Sequence, residues 1–470
     1  MAKILPFRAY HFDPKKVGNL SAVVTQPYDK IDAKAQEEYY RRHANNVVRV
    51  TKGKDEPGDT ERNNKYTRAG AFLKDWTAGG FLVRDTEPAI YSYFQSFKTP
   101  GGEKRVRKGF IALGVLEEFG KGGVHAHEHT LAKPKQDRLS LTRATHATTG
   151  HIFMLYSDRK MAINKLLDAE AQSRPPDFLA RDDYGAEHEV WRITDKANID
   201  RIVKDMAARE LFIADGHHRY ETALNFREEM KGTRATWTGT ETPDSRMMTF
   251  VNMDDEGLVI LPTHRLIHSL SSFDFRAFRG SLDKQFEVKE YPFGGKTSSS
   301  SQPEPCCFRS GAPAVPPGGA FEERARAELL EDLRIEGLEA HVFGLAAKGS
   351  DSYFLLALKD VKVMDSLITE KHSAAWKRLD VSILHSLILE SMLGIDKKKL
   401  EAQENVEYVR YIEEALDGVR AGKHQMAFIM NPTKLAEVRD IAGKGERMPQ
   451  KSTDFFPKLL SGLLINRMNL

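Results

Sequence analysis

The stretch Leu211-Phe212-Ile213-Ala214-Asp215-Gly216-His217-His218-Arg219-Tyr220-Glu221-Thr222-Ala223 constrains this chain more than any other. An apolar run passes through an acidic residue and a glycine into two histidines and an arginine that open a second segment. The order predicts a buried strand, a tight turn and a helix in immediate succession. The first N–H groups of a helix have no intrahelical acceptor, and here two imidazoles and a guanidinium would surround them. That is chemistry for an anion, and phosphate fits it best. Asp215 would cap the helix or accept from a histidine, Gly216 would permit close approach, Arg219 would grip two oxygens, and His217 or His218 would move a proton. The plainer reading is an N-cap followed by packing and surface ion pairs. Two histidines and an arginine directly after a buried strand are costly choices for a mere cap, which favours anion binding.

The surrounding sequence predicts an α+β protein with a mixed sheet. Strands are expected at about 20–25, 45–50, 89–97, 107–117, 152–156, 189–193, 211–215 and 247–253, and helices at 31–43, 66–78, 161–171, 199–208 and 221–231. A chain of 470 residues is too long for one core, so two or three domains are expected. We place a catalytic region at 1–268 and a smaller α+β region at 269–470, with a Ser-, Pro- and Gly-rich loop or linker at 296–319. Within the second region the pattern predicts a helix at 321–334, a hairpin at 341–345 and 352–358, helices at 375–393 and 408–418, and a buried strand at 426–430. The tail at 447–463 reads as too polar and too interrupted by proline for a core segment, yet able to complete a site.

Several function classes are disfavoured. A net charge of +3 over this length argues against a dedicated nucleic-acid binder. Cys306 and Cys307 are adjacent, which suits neither a mutual disulfide nor a zinc site. No run of 18 apolar residues occurs, so no membrane span is expected and a cytoplasmic location is. A Rossmann glycine fingerprint, a serine nucleophile elbow and a kinase catalytic loop are all missing from the sequence.

Other residues carry candidate chemistry. His125, His127 and His129 alternate through 122–130, and share one side if that segment is extended, with Glu128 opposite. Such a row suits zinc or ferrous iron, phosphate contact with acid–base work, or an exposed loop. It is not the His-Glu-x-x-His helix of a zinc protease. Asp29, after Gln26-Pro27-Tyr28 at an expected strand end, is a general base, a magnesium ligand or a turn aspartate. His264 and Arg265 repeat the basic pair after an apolar run and are site residues or strand-end packing. Lys451, Ser452 and Thr453 offer a cation and two hydroxyls to a phosphate, without the glycine loop of a Walker motif.

Taken together, Pro6-Phe7-Arg8, Gln26-Pro27-Tyr28-Asp29, Asn46-Val47-Val48-Arg49, His127-Glu128-His129-Thr130, Ala214-Asp215-Gly216-His217-His218-Arg219, Pro262-Thr263-His264-Arg265, Leu379-Asp380-Val381 and Met448-Pro449-Gln450-Lys451-Ser452-Thr453 resemble the marks of domain-of-unknown-function family 1015, over nearly the whole length. The Asp-Gly-His-His-Arg segment is also similar to the signature of a superfamily that includes ParB nucleotide-binding domains, sulfiredoxin and an ADP-dependent kinase of free serine. That resemblance implies a ParB/sulfiredoxin-like core. It makes Asp215, Gly216, His217, His218 and Arg219 a phosphate cradle, with Asp29 near the hydroxyl acceptor. Sulfiredoxin chemistry needs a cysteine beside the arginine, and none occurs near Arg219. No helix-turn-helix region follows for a ParB role.

The expectation is therefore a nucleotide-dependent phosphotransferase for a small hydroxylated metabolite such as free serine. ADP or ATP and Mg2+ would be its cofactors, Asp29 or Glu128 its metal-binding or basic carboxylate, and Lys451 a further phosphate contact. A phosphoesterase or nucleotide hydrolase, and a nucleotide-sensing regulator without turnover, are the alternatives. The partners expected are the nucleotide and the metabolite rather than a membrane or nucleic acid, and a homo-oligomer is compatible with all three.

Overall fold

In a computed structural model, the structure describes residues 2–128, 130, 132–271, 273–293 and 320–470, the side chains of 132, 133 and 320 excepted. The expected 296–319 linker, both cysteines and His129 lie outside the described residues. The chain forms two compact units, one of Met1–Val259, Val438–Met448 and Phe455–Leu470, the other of Ile260–Glu437 and Pro449–Asp454. The expected break at 268/269 differs from this division in two ways. The first unit ends at Val259, and it takes back two C-terminal segments.

The first unit is built on a nine-stranded mixed sheet. Its order is Val124–His125, Leu211–Asp215, Ile152–Tyr156, Ser245–Asn252, Lys104–Val115, Ile90–Lys98, Glu187–Ile193 and Phe178–Arg181, with Ile4–Leu5 also paired to Lys104–Val115. Most pairs are antiparallel, but Leu211–Asp215 runs parallel to Val124–His125, and Ile152–Tyr156 parallel to Ser245–Asn252. Strands buried on both faces read as continuous apolar runs, and Ile152–Tyr156 and Ser245–Asn252 are buried at every position. Helix Lys196–Met206 covers the sheet with Ile199, Ile202 and Met206, a spacing that lays one apolar stripe toward the core, and Asp195 caps it by accepting from the Asn198 N–H.

Several sequence expectations fail locally for identifiable reasons. The expected strand at 45–50 is instead the single turn Val48–Thr51, because Asn46 accepts from the Val48 N–H at 2.9 Å and donates to the Ala22 carbonyl at 2.7 Å. The expected strand at 20–25 is the 3-10 turn Leu20–Ala22, capped by Asn19. The tail differs most. Met448, Phe455, Phe456, Leu459, Leu460, Leu463, Leu464 and Ile465 are all buried, and Asn466–Arg467 pairs with Ala147–Thr148. Its prolines and polar residues hid a core segment whose large apolar side chains each contribute about 1.5–3 kcal/mol.

The second unit holds a six-stranded sheet in the order Phe286–Pro292, Ser352–Leu358, Val342–Ala347, Met426–Ile429, His264–Ile267 and Val406–Val409. Ala325, Leu329 and Leu333 of helix Ala320–Glu336 join its core. The helix expected at 408–418 is divided. Val406–Val409, β-branched at both ends, pairs with His264–Ile267, and the helix runs Ile412–Arg420. The helix expected at 375–393 is broken into Ala374–Lys377, Asp380–Ile383 and a wider π-helical stretch, Leu384–Met392. Among the described residues, no helix is long and apolar enough to cross a membrane.

Candidate functional site

Strand Leu211–Asp215 ends at Gly216, and helix His217–Glu229 begins at once, as the sequence predicts. Gly216 has φ of +95°, and a Cβ there would lie 3.0–3.1 Å from the Arg219 guanidinium, so both the turn and the arginine folded over it require glycine. No side chain caps the helix, so Asp215 does not play the capping role expected of it. Its Oδ2 instead lies 3.2 Å from Arg219 Nη2, while Arg219 Nη1 donates to the His151 carbonyl. Each terminal nitrogen of Arg219 thus has one acceptor within the chain and keeps a second N–H.

The two histidines separate. His217 is only 2% exposed, and its ring meets that of His127 edge-on at 4.7 Å. Its Nε2 accepts from the His127 backbone N–H at 3.3 Å, which leaves the ring proton on Nδ1, 3.5 Å from Glu128 Oε2. Burial, with His127 adding to it and Asp215 opposing, holds His217 well below the usual imidazole range. Burial also lowers His127 to about 4. Burial thus favours the neutral form of both rings. His218 is half-buried, and its pKa is lowered by burial against the opposing charges of Glu221 and Asp29. It is neutral as well, and able to accept a proton.

Asp215 gathers cations around this turn. Burial alone would raise its pKa, but the charges of Lys458 and Arg219, with Lys30 adding to them, hold it at about 2. Sequence reasoning missed Lys458 because the tail reads as polar; the usable signal was a lysine set between Phe455-Phe456-Pro457 and Leu459-Leu460. Its segment is fixed by the buried Arg107, which donates to the carbonyls of Phe456 at 3.1 Å and Pro457 at 2.5 Å. Gln95 Nε2 donates to the Lys458 carbonyl at 3.1 Å. On the far side of His218, Glu221 accepts from Thr130 at 2.5 Å, Lys135 at 2.9 Å and Arg447 at 3.3 Å.

Asp29 sits exposed in the 3-10 turn Tyr28–Lys30, not at a strand end. Its charge acts on His218, on Lys52 and on Tyr28, whose pKa burial pushes up to about 12. Tyr28 lies under the Arg138 guanidinium at 4.1 Å. Arg138 and Tyr28 wall two adjoining spaces of the first unit. One is a narrow cavity of about 60 Å³ that reaches Arg219. The other is an open recess of about 710 Å³ toward Lys52, Lys54, Lys65 and Tyr66, a size that suits a small-molecule ligand.

His125 and His127 take different neighbours. His125 stacks on Phe212 at 4.8 Å beside Glu210, whereas His127 turns to His217, because only Val124–His125 is a strand. Among the described residues, no group of three or more His, Cys, Asp or Glu side chains could hold a metal ion. The two candidate carboxylates take different neighbours, Glu128 beside His217 and Asp29 acting on His218.

His264, Arg265, Lys451, Ser452 and Thr453 belong to the second unit. There, His264 and Arg265 are fully buried in a strand with neighbours on both sides. His264 Nδ1 accepts from the Met430 N–H at 3.2 Å, and Arg265 donates to the Thr263 carbonyl and, at 3.1 Å, to that of Lys451. Ser452 donates to the Pro449 carbonyl at 2.5 Å. These contacts tie loops to the sheet and leave Arg265 no open face toward a phosphate.

No curated protein matches the sequence. Among solved structures, the chain is similar to a conserved hypothetical protein from Pyrococcus furiosus at 13% identity, covering 72% of this chain and 90% of that one with a TM-score of 0.28. A free serine kinase in complex with AMP matches at 13% identity, 72% and 88% coverage and a TM-score of 0.30. The C-terminally truncated SbnI from Staphylococcus aureus matches at 9% identity, 72% and 82% coverage and a TM-score of 0.28. The match that assigns the chain is to a family model extending over residues 4–382: this protein belongs to the family described as protein of unknown function (DUF1015).

Proposed function

We propose that the first unit is a nucleotide-dependent phosphotransferase acting on a small hydroxylated metabolite. The observation that carries this reading is the pairing of a neutral, half-buried His218 with cations held about Asp215 beside an uncapped helix start. The 710 Å³ recess has room for a nucleoside, and its shared wall at Arg138 leads its phosphates toward Arg219. Arg138, Arg219, Lys30 and Lys458 offset the charge of the transferring group, which is the main task of a protein in such a reaction.

His218 takes the proton of the metabolite hydroxyl as its oxygen bonds to the terminal phosphorus and the bond from phosphorus to the nucleotide oxygen breaks. Asp29, whose charge already favours protonated His218, steadies the imidazolium so formed. Magnesium commonly takes one or two carboxylates together with substrate phosphates, so the exposed oxygens of Asp29 fit it, and when bound it would supply further positive charge. His217 holds the turn in place through His127 and Glu128.

The test is a labelled-nucleotide assay over small hydroxylated metabolites, serine included, with product separation. Transfer yields a labelled phosphometabolite, and the His218→Asn variant should lose 10²- to 10⁴-fold in turnover while retaining nucleotide binding. Label released only as inorganic phosphate would point to a hydrolase, and saturable binding without turnover to a sensor.

A further inference from the structure

Among the described residues, Arg246 is a buried cation without an ion-pair partner. It lies in strand Ser245–Asn252, is 4% exposed, and contributes to the wall of the 60 Å³ cavity together with Arg138, Arg219, Thr149, Thr222 and Ser461. Its Nη1 donates to the Ser245 carbonyl at 2.8 Å and rests 3.2 Å from Met468 Sδ. Its Nη2 is buried without any partner. Arg138 has Asp137 at 2.5 Å and Arg219 has Asp215 at 3.2 Å, whereas Arg246 forms no ion pair among the described residues. The neighbouring charge that acts on it, Arg227, is positive too, and with burial it lowers Arg246 to about 10.

A guanidinium taken from water without a counter-charge is expensive, and a donor left unmade adds to that cost. Structural use of Nη1 does not account for Nη2. A second observation lies close by. Asn466 is fully buried with neither amide atom partnered, and it pairs across strands with Thr148, another residue of the same wall. By volume, about 60 Å³ holds roughly four waters, the space of one oxyanion group and not of a nucleotide.

We propose that this cavity is an oxyanion pocket in which Arg246 binds the carboxylate or phosphate group of a small metabolite. The inference rests on the proposed function only in assigning that acid group to the acceptor substrate, whose hydroxyl would then point toward His218. The pocket itself stands on Arg246 and its surroundings.

Titration calorimetry with sodium acetate and with sodium phosphate, in chloride buffer of matched ionic strength, tests it. The wild type should bind one of the two saturably, and which one identifies the acid group. Arg246→Met, close in volume, should weaken that binding at least 10-fold and raise the melting temperature of the ligand-free protein, because it removes an uncompensated buried charge. Arg246→Lys keeps the charge but loses the fork, and should bind with intermediate affinity, which covers failure of the first variant to fold. Nucleotide titration on the same variants separates the two proposals, since Arg246→Met should leave it unchanged. Absence of saturable binding by either anion in the wild type, or equal binding in wild type and variants, would overturn the pocket.

Discussion

His218-Arg219 and His264-Arg265 are the same dipeptide in the same chain, each following an apolar run, and they end in opposite circumstances. The first pair comes after its strand has stopped. Gly216, at φ of +95°, turns the chain into a helix; Arg219 then lines the narrow cavity and His218 is half-buried. The second pair begins a strand. Pro262 closes the short strand Val259–Leu261, and His264–Ile267 then pairs on both edges, so both basic side chains are buried, His264 accepting from the Met430 N–H and Arg265 donating to backbone carbonyls. Glycine before the first pair turns the chain into a helix, whereas proline before the second lets a new strand begin.

This contrast can be broken by mutation. The largest effect is expected from Asp215→Asn, which leaves Lys458, Arg219 and Lys30 without the charge that gathers them. Removing one member of a partly buried ionic group should destabilise the protein by about 1–3 kcal/mol, with loss of nucleotide binding, as read by denaturant melts and calorimetry. An unchanged melt would show that the cations do not depend on Asp215.

Acid should act next, through histidines held neutral by burial. Unfolded, each has an ordinary pKa near 6.5, while folded His127 lies near 4 and His151 near 3, so the unfolded chain binds more protons below pH 6.5. Stability is complete above that pH and falls as pH drops toward the folded values, by up to roughly 1.4 kcal/mol per pH unit for each histidine. Asp215 adds its own loss only below pH 4, as the medium passes from its ordinary 3.8 toward about 2. Melting temperatures from pH 8 to 2 check the order, and a flat profile between 6.5 and 5 would contradict neutral burial. The smallest effect on function should come from Arg265→Met, which costs stability by leaving the Thr263 and Lys451 carbonyls without their donor but does not alter nucleotide affinity.

Local pattern reveals those parts of the protein whose causes are local. Ile152–Tyr156 was legible to the residue from its apolar run, and the turn at Gly216 from its neighbours in sequence. Where a single side chain redirects the backbone, as Asn46 does before Val48, β-branched composition misleads. The site was half legible. Asp215, His218 and Arg219 stand together in sequence, but His217 packs against His127, and Lys458, whose charge acts on Asp215, comes from a distant tail held by Arg107. Arg246 gave no signal, since it precedes the strongly apolar run at 247–253 that marked the strand.

The central claim, that the cations about Asp215 form a phosphate site, is tested most directly by calorimetric titration of ADP and ATP, each with magnesium, into Lys458→Met and Arg265→Met beside the wild type. The account predicts at least a 10-fold loss of affinity in Lys458→Met and none in Arg265→Met. Equal affinities in Lys458→Met and the wild type would contradict it.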